Sequence, residues 1–225
     1  MRKIQDGYFR RAKREGYLAR SAYKLEAIDK KFRLFRPGAA VLDLGSSPGS
    51  WIQYLRRAVG EKGRIAGVDL QPVKPAVRAM AAVLQKDVFA CEPGDFREVA
   101  ERFDAVVSDL APATTGVRLA DQSASLELAE KARVLAQAVL APGGCFVCKL
   151  FESPLVAEFV GRVKKRFRKA RLYKPPASRG ESFETFLVAR GFGPSAPEKA
   201  SPPRRGRRRR SPPSPGGHPP PSMPK

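Results

Sequence analysis

Four residues spread over 160 positions have the types and placement to do chemistry: Lys24, Asp109, Lys149 and Glu184. Lys24 follows Arg20-Ser21-Ala22-Tyr23 on an expected helix. Asp109 closes the apolar run Ala105-Val106-Val107-Ser108, and Lys149 closes Cys145-Phe146-Val147-Cys148. Glu184 opens the run Thr185-Phe186-Leu187-Val188-Ala189. Two lysines and two carboxylates brought together beside a nucleotide-like cofactor would make an acid/base site without histidine. The single histidine, His218, falls in a tail that is not expected to fold.

These residues need elements to position them. Helices are expected over residues 6–14 and 21–32, the second with Ala22, Leu25, Ala27 and Ile28 on one face. A strand over 40–44 runs into Gly45-Ser46-Ser47-Pro48-Gly49-Ser50 and a helix from Trp51 to about Val59. Further strands are expected over 64–68, 81–85, 105–108, 146–149, 170–173 and 183–189. Helices are expected over 121–140, stopped by Pro142-Gly143-Gly144, and over 154–167. Helices alternating with near-continuous apolar strands predict a mainly parallel sheet covered on both faces. The last two strands lack a helix between them and can close an antiparallel pair at one edge.

The cofactor signal is the Gly45 loop. It leaves a strand at Asp43-Leu44-Gly45 and enters a helix, so it sits at a strand's carboxyl end, where ligands of doubly wound sheets bind. A dinucleotide fingerprint would need glycine at 45, 47 and 50, and serines stand at 47 and 50. That disfavours a pyrophosphate cradle, and with it a nicotinamide oxidoreductase. Asp69, ending the next strand, suits a ribose diol, and Asp87, ending the third, suits an adenine amino group. Any one of these acids alone reads as a turn or helix cap. Acids at 43, 69 and 87 in register match a phosphate-free adenosine cofactor with a polar tail, S-adenosylmethionine.

Composition bounds the partners. The net charge is +21, of which the segment 194–225 contributes +7 from eight Lys/Arg and one Glu, leaving +14 on the body. A folded body that basic points to a polyanion, nucleic acid first. A solvated cationic face is the plainer reading, and no basic amphipathic helix favours a membrane surface. Three cysteines do not suggest a disulfide framework. Cys145 and Cys148 lie three apart in a strand and should point to opposite faces, which argues against a metal or redox pair. A reducing, cytoplasmic compartment is expected. Lys3, Asp6, Arg10, Arg11, Lys13 and Arg14 leave no apolar region for a signal peptide, and no apolar run is long enough for a membrane span.

The chain resembles the FtsJ/RrmJ family of ribose 2′-O-methyltransferases. The resemblance is carried by Arg20-Ser21-Ala22-Tyr23-Lys24-Leu25, by Val41-Leu42-Asp43-Leu44-Gly45 with Pro48-Gly49 and Trp51, by Lys62-Gly63-Arg64-Ile65 and by Val68-Asp69-Leu70. It continues through Ser108-Asp109-Leu110-Ala111-Pro112, Leu140-Ala141-Pro142-Gly143-Gly144, Val147-Cys148-Lys149, and Ser178-Arg179 with Ser182-Phe183-Glu184. It implies a Rossmann-like α/β fold with a seven-stranded, mainly parallel sheet, an antiparallel last strand and helices on both faces. It implies a catalytic set of Lys24, Asp109, Lys149 and Glu184, and methylation of a uridine ribose in large-subunit ribosomal RNA, with S-adenosylmethionine as donor. The chain departs from the family at Ala113, where asparagine is usual, at Ser50, where glycine is expected, and in the segments 71–80 and 114–120.

The expected cofactor set is Asp43, Gly45, Ser46, Pro48, Gly49, Trp51, Asp69, Leu70, Asp87, Val88 and Asp109. Lys149 is the expected proton acceptor. An ordinary lysine titrates near 10.4, so the role requires a neighbouring cation to lower it. Asp109 would orient Lys149, and Glu184 would orient Lys24 or the ribose. The RNA surface is expected on Arg10, Arg11, Lys13, Arg14 and Arg20, with Arg2 and Lys3, interleaved with Tyr8, Phe9, Tyr17 and Tyr23. A metal-free monomer is expected, with a methyltransferase domain over 1–193 (an N-terminal helical RNA-binding segment over 1–36 and a sheet core over 37–193). A disordered Pro/Arg-rich basic tail is expected over 194–225. Rival functions are methylation of another RNA such as transfer RNA, and a non-catalytic RNA-binding assembly factor. Intact lysines at 24 and 149 argue against the latter. Deleting residues after Gly193 should leave the melting transition and turnover at saturating RNA unchanged. RNA affinity at low salt should fall, with a shallower dependence of log K on log salt; identical binding curves at several salt concentrations would deny the tail a role.

Overall fold

The computed structural model describes residues 2–178 and 183–193, with side chains from residue 7 onward. Arg2, Lys3, Arg179, Ser182 and the Pro/Arg tail therefore carry expectations that lie outside the described side chains. The elements run α1 (Arg2–Glu15), α2 (Ala22–Phe32), β1 (Ala40–Leu44), α3 (Ser50–Val59), β2 (Arg64–Asp69), α4 (Pro75–Arg78) and β3 (Ala82–Gln85). They continue with β4 (Phe103–Ser108), α5 (Arg118–Val139), β5 (Leu140–Phe151), α6 (Val156–Lys164), β6 (Phe167–Tyr173) and β7 (Glu184–Phe192).

The seven strands form one sheet in the order β3-β2-β1-β4-β5-β7-β6. Pairs from β3 to β5 are parallel. β7 slots between β5 and β6 and runs antiparallel to both. Strand alternation divides the core in two. Leu42, Leu44, Val106, Phe146 and Cys148 face α5 and α6, meeting Ala132, Leu135, Phe159 and Val163. Val41, Ile65, Val107, Cys145 and Val188 face α2 and α3, meeting Leu25, Ile28, Ile52 and Leu55. Cys145 and Cys148 thus lie on opposite faces, and burial pushes both thiols up to about 12. No group of three or more metal-ligating side chains occurs among the described residues.

Two expected boundaries are corrected. The fifth strand, expected over 146–149, begins at Leu140 directly after the long helix, which ends at Val139, so the Pro-Gly-Gly run lies inside β5 rather than between helix and strand. The register to β4 jumps from Phe103↔Leu140 to Ala105↔Cys145, so a bulge absorbs residues 141–144, with Gly143 at φ 82° supplying the turn. The helix expected over 154–167 stops at Lys164. Phe167 instead opens β6, buried against Phe146 and Phe192. Burial of that ring in the sheet overrides the helical pattern of its basic flank.

Helix α2, which carries Lys24, is fastened to α3. The indole Nε1 of Trp51 donates to the Ser21 carbonyl at 3.0 Å. The hydroxyls of Ser21 and Ser50 share a hydrogen bond of 2.7 Å, so the serine that departs from the family pattern joins the two helix starts. The Trp51 ring packs 6.1 Å from that of Phe186 on β7. Trp51→Phe keeps an apolar ring but loses the indole bond and some packing. It should lower unfolding free energy by about 1–3 kcal/mol in urea titration, the range for leaving a buried polar group unpaired. An unchanged midpoint would mean that α2 is anchored elsewhere.

Candidate active site

The sheet register brings three of the four candidate residues, Asp109, Lys149 and Glu184, to one face. Ser108 pairs with Cys148 across the parallel β4–β5 ladder, so Asp109 and Lys149 follow on the next rung. Lys149 opposes Phe186, and Phe151 opposes Glu184, across the antiparallel β5–β7 ladder. Opposed residues and residues two apart share a face, so Lys149, Phe151, Glu184 and Phe186 all project to the side of α2. Lys24 reaches down from α2, its Nζ 5.9 Å from the centre of the Phe186 ring.

The four groups meet as two ion pairs. Lys24 Nζ lies 2.7 Å from Glu184 Oε1 and 2.9 Å from Oε2. Lys149 Nζ donates to the Asp109 carbonyl oxygen at 2.7 Å and lies 3.0 Å from Asp109 Oδ1, in ion-pair contact but outside hydrogen-bond geometry. Lys24 and Lys149 are each 8% exposed and Glu184 is 9% exposed. Burial works to raise the Glu184 carboxyl, but the charge and hydrogen bond of Lys24 outweigh it, helped by the charge of Lys149, and hold the acid below its ordinary range. The Glu184 carboxylate is therefore held in its charged form beside Lys24.

Beside the Lys149–Asp109 pair opens a cleft of about 530 Å³ at the carboxyl ends of β1, β2, β3 and β4. Gly45, Asp69, Leu70, Asp87, Val88 and Asp109 line it, as do Phe89, Leu110 and Glu127, which the sequence did not single out. Asp69 binds its own loop: Oδ2 accepts from Ser47 N–H at 2.9 Å and Oδ1 from Gln71 N–H at 2.8 Å. Asp87 caps a short 3₁₀ turn, Oδ1 accepting from Phe89 N–H at 2.9 Å. Each oxygen keeps a further lone pair for a ligand. Four carboxylates and no lysine or arginine line the cleft among the described residues.

Asp43, Ser46, Pro48, Gly49 and Trp51 do not line the cleft. They build the loop from behind. Gly45, at φ 85°, sits so close to the Asp109 loop that a β-carbon would come within 3.0 Å of Leu110 N. Gly49, at φ 113°, turns into α3, where a β-carbon would come within 2.6 Å of Val77. Trp51 and Ser50 hold α2, as described. Glu127 and Leu128 lie on α5 one turn beyond Ala124; an i, i+3, i+4 stripe facing the strand ends was the signal available for them.

The basic N-terminal helices lie over the same face. Tyr17 and Tyr23 are buried, 5.5 Å apart edge to face, and Tyr8 lies 5.6 Å from Tyr23. They serve α1–α2 packing, whereas Phe9 is exposed. Arg11 stacks 4.4 Å over Tyr23 and pairs with Glu15 at 2.7 Å. Arg10, Lys13 and Arg14 are exposed, and Arg20 is half-buried.

A seven-stranded sheet with an antiparallel seventh strand between the fifth and sixth, and an acid-lined cleft at its parallel carboxyl ends, defines a Rossmann-like methyltransferase. The chain belongs to the FtsJ-like methyltransferase family, whose pattern matches residues 17–192. It is 48% identical over 187 residues to the ribosomal RNA large subunit methyltransferase E of Bdellovibrio bacteriovorus, covering 82% of this chain and 95% of that one. It is 43% identical over 195 residues to the protein of the same name from Nitratidesulfovibrio vulgaris, covering 85% and 95%. A crystal structure from Plasmodium falciparum, provisionally assigned as a ribosomal RNA methyltransferase, shares the fold with TM-score 0.70 at 23% identity, over 78% of this chain and 98% of that one.

Asp43 carries a consequence for stability. Its carboxylate is fully buried, with neither oxygen hydrogen-bonded among the described residues. Burial, reinforced by the charges of Asp109 and Asp69, pushes its carboxyl well above the ordinary range. A folded-state value above the unfolded one of about 3.9 gives stability that is complete below that pH and is lost as pH rises toward the folded value. Asp43→Asn removes the titration. Its unfolding free energy relative to wild type, in denaturant titrations of the unliganded protein, should therefore improve steadily from pH 4 upward; a pH-independent difference would contradict the buried-acid account.

Proposed function

We propose that this methyltransferase uses S-adenosylmethionine to methylate a ribose 2′-hydroxyl of a uridine in large-subunit ribosomal RNA. The observation that carries the reading is the pair of desolvated lysine–carboxylate contacts beside a cleft lined by carboxylates. The two relatives named above, 48% and 43% identical, bear the name of large-subunit ribosomal RNA methyltransferase. A body charge of +14 and the exposed Arg10, Lys13 and Arg14 beside the site suit an RNA substrate.

The cleft fits the cofactor. Its size is within the range of small-molecule sites. Its carboxylates repel phosphates and favour a ligand bearing an ammonium and a sulfonium. Asp69 would accept from the ribose diol. Asp87 and Val88 would meet the adenine, with Leu70 and Phe89, both exposed at the rim, against its faces. Gly45 lets the backbone approach, and Asp43, Ser46, Pro48, Gly49 and Trp51 shape the loop behind it. When bound, S-adenosylmethionine supplies a methyl group activated by its sulfonium charge.

The protein's own residues act on the acceptor. A 2′-hydroxyl is a weak nucleophile while protonated, and in-line attack demands positioning. Lys149, held by the carbonyl and carboxylate oxygens of Asp109, steers the hydroxyl, and in its neutral amine form receives the hydroxyl's proton as the oxygen takes the methyl group. Asp109 contacts Lys149 Nζ through its carbonyl oxygen and its carboxylate, so orientation is Asp109's role. Glu184 neutralises Lys24 and fixes it over Phe186. No described helix is long and apolar enough to cross a membrane, and the reading places the protein in the cytoplasm as a monomer acting on ribosomal RNA.

Two variants should separate donor from acceptor functions. Asp69→Ala should weaken S-adenosylmethionine binding by about 1–3 kcal/mol in calorimetry, the cost of removing a charged acceptor. Lys149→Ala should leave that affinity within a few fold and nearly abolish single-turnover transfer, because its role is realised in the transition state. Near-normal transfer by Lys149→Ala would make the lysine structural and end the mechanism.

A further inference from the structure

A second pocket, of about 280 Å³, lies beyond the Asp109 loop from the cofactor cleft. Its wall is made by Thr114, Gly116, Arg118, Asp121, Gln122, Phe151 and Phe183. Residues 109–113 of that loop line the cofactor cleft, whereas Thr114 and Gly116 line this pocket, so the loop is a shared partition. Asp121 pins the partition in place. Its Oδ1 accepts from Thr115 N–H at 2.7 Å and Thr115 Oγ1 at 2.9 Å, and its Oδ2 from Gly116 N–H at 3.2 Å.

The pocket grows out of the same strand rungs as the reactive residues. Phe151 lies two residues past Lys149 on one face of β5, about 7 Å along the strand. It opposes Glu184 in the register, and Phe183 immediately precedes Glu184. Phe183 is 53% exposed, so its ring is not a core group. Arg118 lays its guanidinium 4.5 Å over that ring and has no carboxylate at ion-pair distance among the described residues. An aromatic ring extended by a guanidinium that makes no ion pair among the described residues offers a stacking plane beside a positive charge. Unpaired RNA bases stack on aromatic rings and on arginine planes, and the flanking phosphate answers the charge.

We propose that Phe183, Phe151 and Arg118 form a nucleotide subsite that seats the base of an unpaired nucleotide neighbouring the methylated ribose. The proposal rests on the ribose-methylation reading above. The subsite sets where the acceptor strand lies relative to Lys149, and thereby contributes to choice of target.

The test uses the full chain with large ribosomal subunits as acceptor. Phe183→Ala should raise KM for the RNA about tenfold, the scale of one lost base–aromatic stack, with kcat within twofold and cofactor affinity and melting temperature unchanged. Phe183→Tyr should restore KM. Arg118→Ala should raise KM and flatten its salt dependence by about one phosphate contact. Unchanged KM in Phe183→Ala would overturn the subsite. A fall in kcat alone would also overturn it, because Phe183 would then be a prop for Glu184. If wild-type protein transfers no methyl to ribose, the ribose-methylation reading fails by itself. Binding of a short single-stranded RNA, compared between wild type and Phe183→Ala without cofactor, then still decides the pocket, equal affinities refuting it.

Discussion

An ammonium removed from water must be answered by a carboxylate or by oriented dipoles, and the active face is arranged around that requirement. Lys24 and Lys149 are both almost wholly buried. Each is answered by an acid brought from elsewhere in the chain, Glu184 for the first and Asp109 for the second. Removing one member of such a pair leaves a stranded charge, which costs far more than the intact pair contributes. The sheet order follows this logic: β7 must enter between β5 and β6, antiparallel, to deliver the start of its run beside Lys149. Helix α2 must lie over β7 for Lys24 to meet Glu184, and the Trp51 and Ser50 bonds to Ser21 keep it there.

Much of this was legible in the sequence because it rests on local signals. The strand at 40–44 is apolar but for Asp43, that at 64–68 is apolar after Arg64 and runs into Asp69, and the Gly45 loop and α3 follow in the pattern of a ligand-binding turn. The four reactive residues were legible as a set only through their family order; their approach in space depends on strand pairing, which no local pattern records. The boundaries that failed did so for tertiary reasons. The Pro-Gly-Gly run reads as a terminator, but β4 accommodates it as a bulge in β5. Phe167 reads as the last turn of a basic helix, but its ring is needed between Phe146 and Phe192.

The division of the Gly45 loop was equally hidden. The motif assigned Asp43, Gly45, Ser46, Pro48, Gly49 and Trp51 to the ligand but passed over Ser47, which lines the cleft. The fold sends Gly45 to the cleft and turns Asp43, Ser46 and Trp51 inward. Glycines at 45 and 49 also mark close approaches of neighbouring chain: Leu110 at the first, Val77 at the second. Conversely Phe89 and Glu127 reach the cleft with no motif to mark them, because a rim position needs only proximity.

The partition formed by the Asp109 loop has a kinetic consequence. One chamber opens past Leu70 and Phe89, and the other past Arg118 and Phe183, all exposed to solvent. A wall with a mouth on each side lets one chamber be emptied and refilled while the other stays occupied. With the donor in the first chamber and an acceptor nucleotide in the second, as proposed above, spent donor would leave by its own door without the much larger acceptor letting go.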